Sequence, residues 1–238
     1  MSKKLIIFDV VVFVISLAMI ITSNIIFGFS PLSIISSIAT IFGIIYSLLA
    51  IGASKKTFYF GILNNIFFGV ASMLNKVYLL SVYALAFCIP FLIIGIIKQY
   101  KHPTKNEPRL RHISLKYFFL LLGIQVLAIG IFLVALYLLH GSYWYLDAVG
   151  TSFLCISLIL LTTYRIESYI YFTIGNICNL VLYTLFTIND IRNITTIIMW
   201  LIYFISGIIG YINWLRIYKR QQLETISLEE NKTINLSA

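Results

Sequence analysis

The sequence predicts an all-α polytopic membrane protein of eight transmembrane helices, and three observations carry that prediction. Eight stretches are apolar over about 20 residues, the length a helix needs to cross a bilayer. Charged residues make up 11% of the chain against 61% hydrophobic, whereas a soluble domain is roughly a quarter charged. The few cations also fall almost entirely into alternate loops.

Taken in order, Leu5–Gly28 follows Lys3 and Lys4 as a signal peptide would. It is long for one, and "SNIIFGFSP" offers no small-x-small cleavage site, so it reads as an uncleaved first helix. Pro31–Gly52, Thr57–Asn75 and Tyr78–Ile97 come next, separated by short polar turns; Pro90 lies inside the last and should bend it. "KQYKHPTKNEPRLRH", Lys98–His112, has the prolines and charges of a solvated connector. Beyond it lie Ser114–Leu139, Tyr145–Tyr164, Tyr169–Ile188 and Ile194–Ile217, then a hydrophilic, mobile tail. Continuous hydrophobicity, without alternation, excludes a membrane β-barrel.

With the amino terminus placed in the cytoplasm and eight helices alternating, fifteen of the 17 Lys and Arg residues fall inside; Lys76 and Arg192 fall outside. That is a positive-inside pattern, with both termini cytoplasmic. The net charge of +9 is dispersed among loops, so no nucleic-acid partner is indicated. Cys88, Cys155 and Cys178 stand singly in apolar runs without metal or redox spacing.

The chain repeats itself. "YFGILN" from Tyr59 and "YFTIGN" from Tyr171 match at an offset of 112 residues, as do Gly95 and Gly207. The sequence thus divides into an extra helix (1–29), a three-helix repeat (30–98), a cytoplasmic loop (99–113), a linking helix (114–140), a second repeat (141–218) and the tail (219–238). Three crossings are odd, so the linking helix returns the second repeat to the orientation of the first. The result is a 1+3+1+3 arrangement of parallel triplets.

Asn64 and Asn176 pose the sharpest question, because a desolvated carboxamide is costly without a partner. Both lie ~10 Å into their helices, at about 1.5 Å per residue. Phe60, Asn64 and Phe67 share one helical stripe; Phe172, Asn176, Asn179 and Tyr183 share another. Two readings stand side by side. The amides and rings clasp a flat polar ligand, the aromatic faces stacking and the amide reading its edge, or the asparagines bond across helices as packing contacts. Asp147 either meets a ligand or serves as a carboxylate favoured at a helix amino terminus. Trp200 lies deep enough to line a cavity or to pack at an interface. His140 with "HGSYWY" reads as an interfacial aromatic belt, and Arg165 with Glu167 as an exposed loop pair worth little. The triplets NIT, NKT and NLS read as chance. There is no phosphate-binding loop, metallopeptidase or serine-hydrolase motif, and no pair of intramembrane carboxylates, so an enzyme or an ion-coupled pump is not indicated.

"YSLLAIGASKKTFYFGILNNIFFG" resembles the first-repeat signature of the PnuC family of vitamin and nucleoside transporters, where a small basic turn leads into an FG-x-x-N helix. "YLDAVGTSFLCISLILLTTYRIESYIYFTIGNICNLVLYTLF" is similar to its second half, with an early Asp, then Arg, Glu and a W-x-x-W-x-x-x-N run. Gly210 and Trp214 resemble its closing G-x-x-x-W pattern. Tyr169 and Phe172 stand where the family carries two tryptophans, and the tryptophans common after the first-repeat glycine are missing. The resemblance covers residues 31 to 217. It implies SWEET-like triple-helix repeats, a bacterial inner-membrane location, and facilitated diffusion of nicotinamide riboside, with uptake drawn by a cytosolic kinase that phosphorylates the substrate. Thiamine and deoxynucleosides are alternative cargoes, and a binding subunit of an ATP-driven vitamin importer is an alternative class. The residues expected to bind substrate are Phe60, Asn64, Asp147, Tyr169, Phe172, Asn176, Asn179 and Trp200. No cofactor is implied; the partners are the small-molecule substrate, the lipid bilayer and, in one arrangement, further copies of the chain.

Overall fold

The structure is a computed structural model that describes residues 3–51, 54, 56–101 and 110–237. Its elements are α1 (Lys3–Phe27), α2 (Pro31–Ile51), α3 (Thr57–Leu74), α4 (Tyr78–Val82), a π-helical turn (Tyr83–Cys88), α5 (Ile89–Lys101), α6 (Leu115–Leu138), α7 (Trp144–Thr162), α8 (Ser168–Asn189), a 3-10 turn (Ile191–Asn193) and α9 (Ile194–Ser237). Among the described residues, seven helices are long and apolar enough to cross a membrane, α4 to α5 counting as one, and α1 adds the apolar stretch Val10–Ile26.

The π-helical turn, Tyr83–Cys88, immediately precedes the segment that carries Pro90. Proline has no N–H to give and its ring crowds the carbonyl one turn back; widening the preceding turn relieves both effects. Three helices end in the same way. The turns after α3, α6 and α7 close with paired bonds: Val77 N–H to Ser72 O (2.9 Å) with Lys76 to Met73 (3.0 Å), Gly141 to Leu136 (3.1 Å) with His140 to Tyr137 (3.2 Å), and Arg165 to Leu160 (2.9 Å) with Tyr164 to Leu161 (3.0 Å). This double bond satisfies the last carbonyls of a helix and places one residue in the left-handed region. Here those residues are Lys76, His140 and Tyr164, with φ of 58°, 49° and 55°, so no glycine relieves the steric cost.

α2 packs on α3 and α9, α7 on α8, and α8 on α9; the α4–α5 span lies against α3 and α7. Between them sits a core that includes Ala39, Phe68, Leu154, Leu182, Tyr183, Met199, Trp200 and Tyr203. α6 is peripheral. Val126, Leu127, Ile131 and Val134 are exposed as a lipid-facing surface, while its buried Gln125 donates to Ser152 Oγ at 2.7 Å. Such interhelical bonds and close packing hold membrane helices together, because lipid supplies no hydrophobic drive between them.

α9 continues as helix to Ser237, through the segment expected as a hydrophilic tail. One expectation is corrected. Arg165 and Glu167, expected to pair with one another, each hold the connector instead. Glu167 Oε1 accepts from the Ile113 N–H (3.1 Å) and lies 2.7 Å from His112 Nδ1, and Arg165 donates to the His112 carbonyl. Backbone bonds from Arg111 to the Tyr164 carbonyl and from Ile166 to the Arg111 carbonyl, both 3.1 Å, complete the attachment. The connector's residues 102–109 lie outside the described residues. Lys98 to Lys101 extend α5, and Leu110 is buried against Ile166, Tyr169 and Trp214. The described residues at the end of the connector, Leu110 to His112, are therefore held against the bundle.

Candidate functional site

The two asparagines that match in sequence do different things. Asn64 is fully engaged: its Nδ2 donates to the Ala39 carbonyl at 2.9 Å, and its Oδ1 accepts from Tyr203 Oη at 3.0 Å. Gly43 makes room for this, since a Cβ there would meet the Tyr203 hydroxyl and the Asn64 amide. The group ties α2, α3 and α9 together. Asn176 is 0% exposed, yet neither its Nδ2 nor its Oδ1 has a partner. Sequence supplies a reason. The residue 112 places before Tyr203 is Phe91, a ring without a hydroxyl. Asn176 thus carries the full desolvation cost of a buried carboxamide, about 1–3 kcal/mol in protein terms.

Its neighbours along the stripe are similar. Asn179 donates to the Gly175 carbonyl at 2.9 Å, leaving Oδ1 unpartnered. Tyr183 is buried and shares a 3.1 Å hydrogen bond with Ser72 Oγ. Trp200 is buried with a free indole N–H, its ring edge-on to Phe68 and to Tyr203, both at 5.5 Å, and stacked at 6.3 Å on Tyr183.

A cavity opens next to this cluster. Its volume is ≈ 30 Å³, and it is lined by Tyr46, Ser47 and Ala50 of α2, Tyr83 of the π turn, Ser157, Leu158 and Leu161 of α7, Ser168, Tyr169 and Phe172 of α8, and Ser206 of α9. That space holds about two waters. All its lining residues are uncharged. Tyr169 enters by lying across Gly210, where any Cβ would collide with the ring, and it meets Trp214 edge-on at 5.1 Å. The G-x-x-x-W spacing thus seats this ring.

Bonds between elements join the helices near both ends of the bundle. At one end, Tyr169 Oη donates to the Ala50 carbonyl at 3.0 Å and Asn213 Nδ2 to the Ile51 carbonyl at 2.8 Å. These are carbonyls of the last turn of α2, which have no intrahelical partner. At the other, besides Ser72–Tyr183, Asn75 Nδ2 donates to Asn193 Oδ1 at 3.0 Å, while midway along α2 Thr40 Oγ1 donates to the Thr195 carbonyl at 3.2 Å.

Of the expected site residues, Tyr169 and Phe172 line the cavity, and Asn176 lies one turn farther along α8 with Asn179 beyond it. Trp200 joins the cluster from α9, its ring 5.5 Å from Tyr203, and Tyr203 is in turn 5.7 Å from Phe172. Phe60 is half-buried against Phe42 at 6.3 Å and does not line the cavity. Asp147 is occupied: its carboxylate accepts the N–H groups of Leu79 and Leu80, both at 3.1 Å, and the Thr151 hydroxyl at 3.0 Å. It caps α4 across the interface. Sequence reasoning did not single out Tyr46, Ser47, Tyr83, Ser168, Tyr203 or Ser206. Serines and tyrosines in apolar runs gave no spacing signal.

The family described as nicotinamide mononucleotide transporter matches residues 33–216. Among curated proteins none matches the sequence. The fold is similar to one described as "Crystal structure of the Vitamin B3 transporter PnuC", with a TM-score of 0.76 at 18% identity over 92% of this chain and 94% of that one. With the family match spanning most of its membrane helices, the chain belongs to the PnuC (nicotinamide mononucleotide transporter) family of multi-pass membrane transporters, and is not an enzyme.

Proposed function

We propose that this protein carries nicotinamide riboside through a bacterial inner membrane by facilitated diffusion with alternating access. The observation that carries this reading is the Asn176 carboxamide, buried and without a hydrogen-bond partner, one turn along α8 from Phe172, which lines an uncharged cavity. A flat pyridinium carboxamide matches it: the ring stacks on aromatic faces, its charge gains cation–π attraction, and its amide pairs with the asparagine. The uncharged lining favours the riboside over its mononucleotide, because a phosphate stripped of water needs cations or several donors. Asn176, Asn179, Tyr169, Phe172 and Trp200 are then the binding residues. Asn64 and Asp147, whose hydrogen bonds are already used, support the walls.

The helices fit a 1+3+1+3 plan, with α2–α5 and α7–α9 as parallel triplets, α6 linking them and both termini cytoplasmic. Tyr169, Ala50 and the docked connector then mark the cytoplasmic end. Nothing in the chain supplies energy, so net uptake is drawn by a cytosolic kinase that traps the product. A thermal-shift screen followed by flux into liposomes of the pure protein tests the proposal. Nicotinamide riboside should stabilise the protein and equilibrate without an ion gradient. Stabilisation by thiamine or thymidine alone would replace the substrate, a need for a gradient would end the uncoupled mechanism, and binding without flux until an ATPase is added would make the chain an importer subunit.

A further inference from the structure

The cavity beside Tyr169 carries more hydroxyl groups than packing explains. Ser47 of α2 and Ser168 of α8 are 3% and 1% exposed, respectively; both line the cavity, and neither Oγ has a hydrogen-bond partner. A serine inside a helix usually returns its hydroxyl to a carbonyl one turn back. Ser16, Ser37 and Thr173 do so here. Ser168 has no such carbonyl to turn to within its own helix, being its first residue, and its own carbonyl already accepts from Ser157 Oγ at 3.0 Å. Ser206 and the Tyr46 ring complete the lining. Buried hydroxyls without partners are costly and are retained where something else satisfies them.

We propose that Ser47 and Ser168 form a sugar subsite that pairs with the hydroxyls of a ribosyl group, while the ring of the same substrate is held about one to two turns deeper along α8, by Phe172 and Asn176. This rests on the riboside reading above and sharpens it: the chain selects ribosides over cargoes without a sugar. Ser47 and Ser168 come from opposite triplets, so a bound ribose bridges the two halves. The space of ≈ 30 Å³ is smaller than a ribose ring, and the walls part as substrate enters. A site built to pair with hydroxyls discriminates strongly against analogues that lack them, since its own groups are then left buried and unpaired.

The test uses the full chain purified in detergent, with nicotinamide riboside, its 2′-deoxy and 3′-deoxy analogues and free nicotinamide as titrants. Ser47→Ala and Ser168→Ala should each weaken nicotinamide riboside about three- to tenfold, the scale of one lost neutral hydrogen bond. They should leave free nicotinamide unchanged, and each should bind one deoxy analogue as well as the parent does, because the lost pair is already absent. Both variants should melt no earlier than the parent, since each removes an unsatisfied hydroxyl. Equal weakening towards riboside and both deoxy analogues, or no weakening of either, overturns the subsite while leaving the riboside reading intact. A parent protein that binds thiamine and no riboside overturns both.

Discussion

Asn64 and Asn176 occupy matching positions in the sequence, but substitution should separate them. Asn64→Leu leaves the Tyr203 hydroxyl and the Ala39 carbonyl buried without partners, so thermal unfolding should show a loss of about 2–4 kcal/mol. Asn176→Leu strands no partner and should leave the melting temperature unchanged or higher, while weakening nicotinamide riboside by about 1–3 kcal/mol. The opposite pattern would make Asn176 the packing contact. Asp147→Ala should cost about 1–2 kcal/mol of stability, the value of a helix cap, and Asp147→Asn less, because one acceptor survives; an undiminished melting temperature in Asp147→Ala would refute the capping role. The paired asparagines were legible from sequence because repetition marks them. Their different roles were not, because the choice falls to Tyr203, a residue far along the chain with no motif of its own.

The helices themselves were legible, because a bilayer demands about 20 apolar residues and little in the sequence imitates that. The ends were less so. Lys76, His140 and Tyr164 hold left-handed turns usually given to glycine, and no local signal betrays them. Their conformations have an energetic consequence. At His140, which lies outside the membrane spans, His140→Gly should relieve the steric cost of positive φ and raise stability by about 0.5–1 kcal/mol after the greater freedom of glycine in the unfolded chain is counted. Chemical denaturation of the two proteins in the same detergent measures it. A loss on substitution would mean that the imidazole makes contacts worth more than the strain. The end of the connector was not legible for a related reason: Leu110 packs in a cluster with Ile166, Tyr169 and Trp214, through contacts that only the assembled fold creates.

At the scale of the molecule, hydrogen bonds join the elements near both ends of the bundle, with the cavity between them, and the proposed alternating access would require one set of these bonds to give way at a time. The end carrying Ala50 and Ile51 is joined to α8 and α9 by bonds that include one from the Tyr169 hydroxyl. Tyr169→Phe keeps the ring against Gly210 and Trp214 and removes that bond alone. One neutral hydrogen bond is worth about 0.5–1.5 kcal/mol net, so the population open at this end should rise about two- to tenfold while it remains the minor form. Ser47, inside the cavity, reports the change. In a background with Cys88, Cys155 and Cys178 replaced by alanine, Ser47→Cys should react with a membrane-impermeant maleimide supplied from the cytoplasmic side of inverted vesicles, and adding Tyr169→Phe should speed that reaction by the same factor. Labelling from the outside of intact cells should slow or stay constant, because population gained by one open form is drawn from the others. Faster reaction from both sides would mean that the substitution loosens the bundle generally, and an unchanged rate from the cytoplasmic side would mean that Tyr169 is not part of the latch.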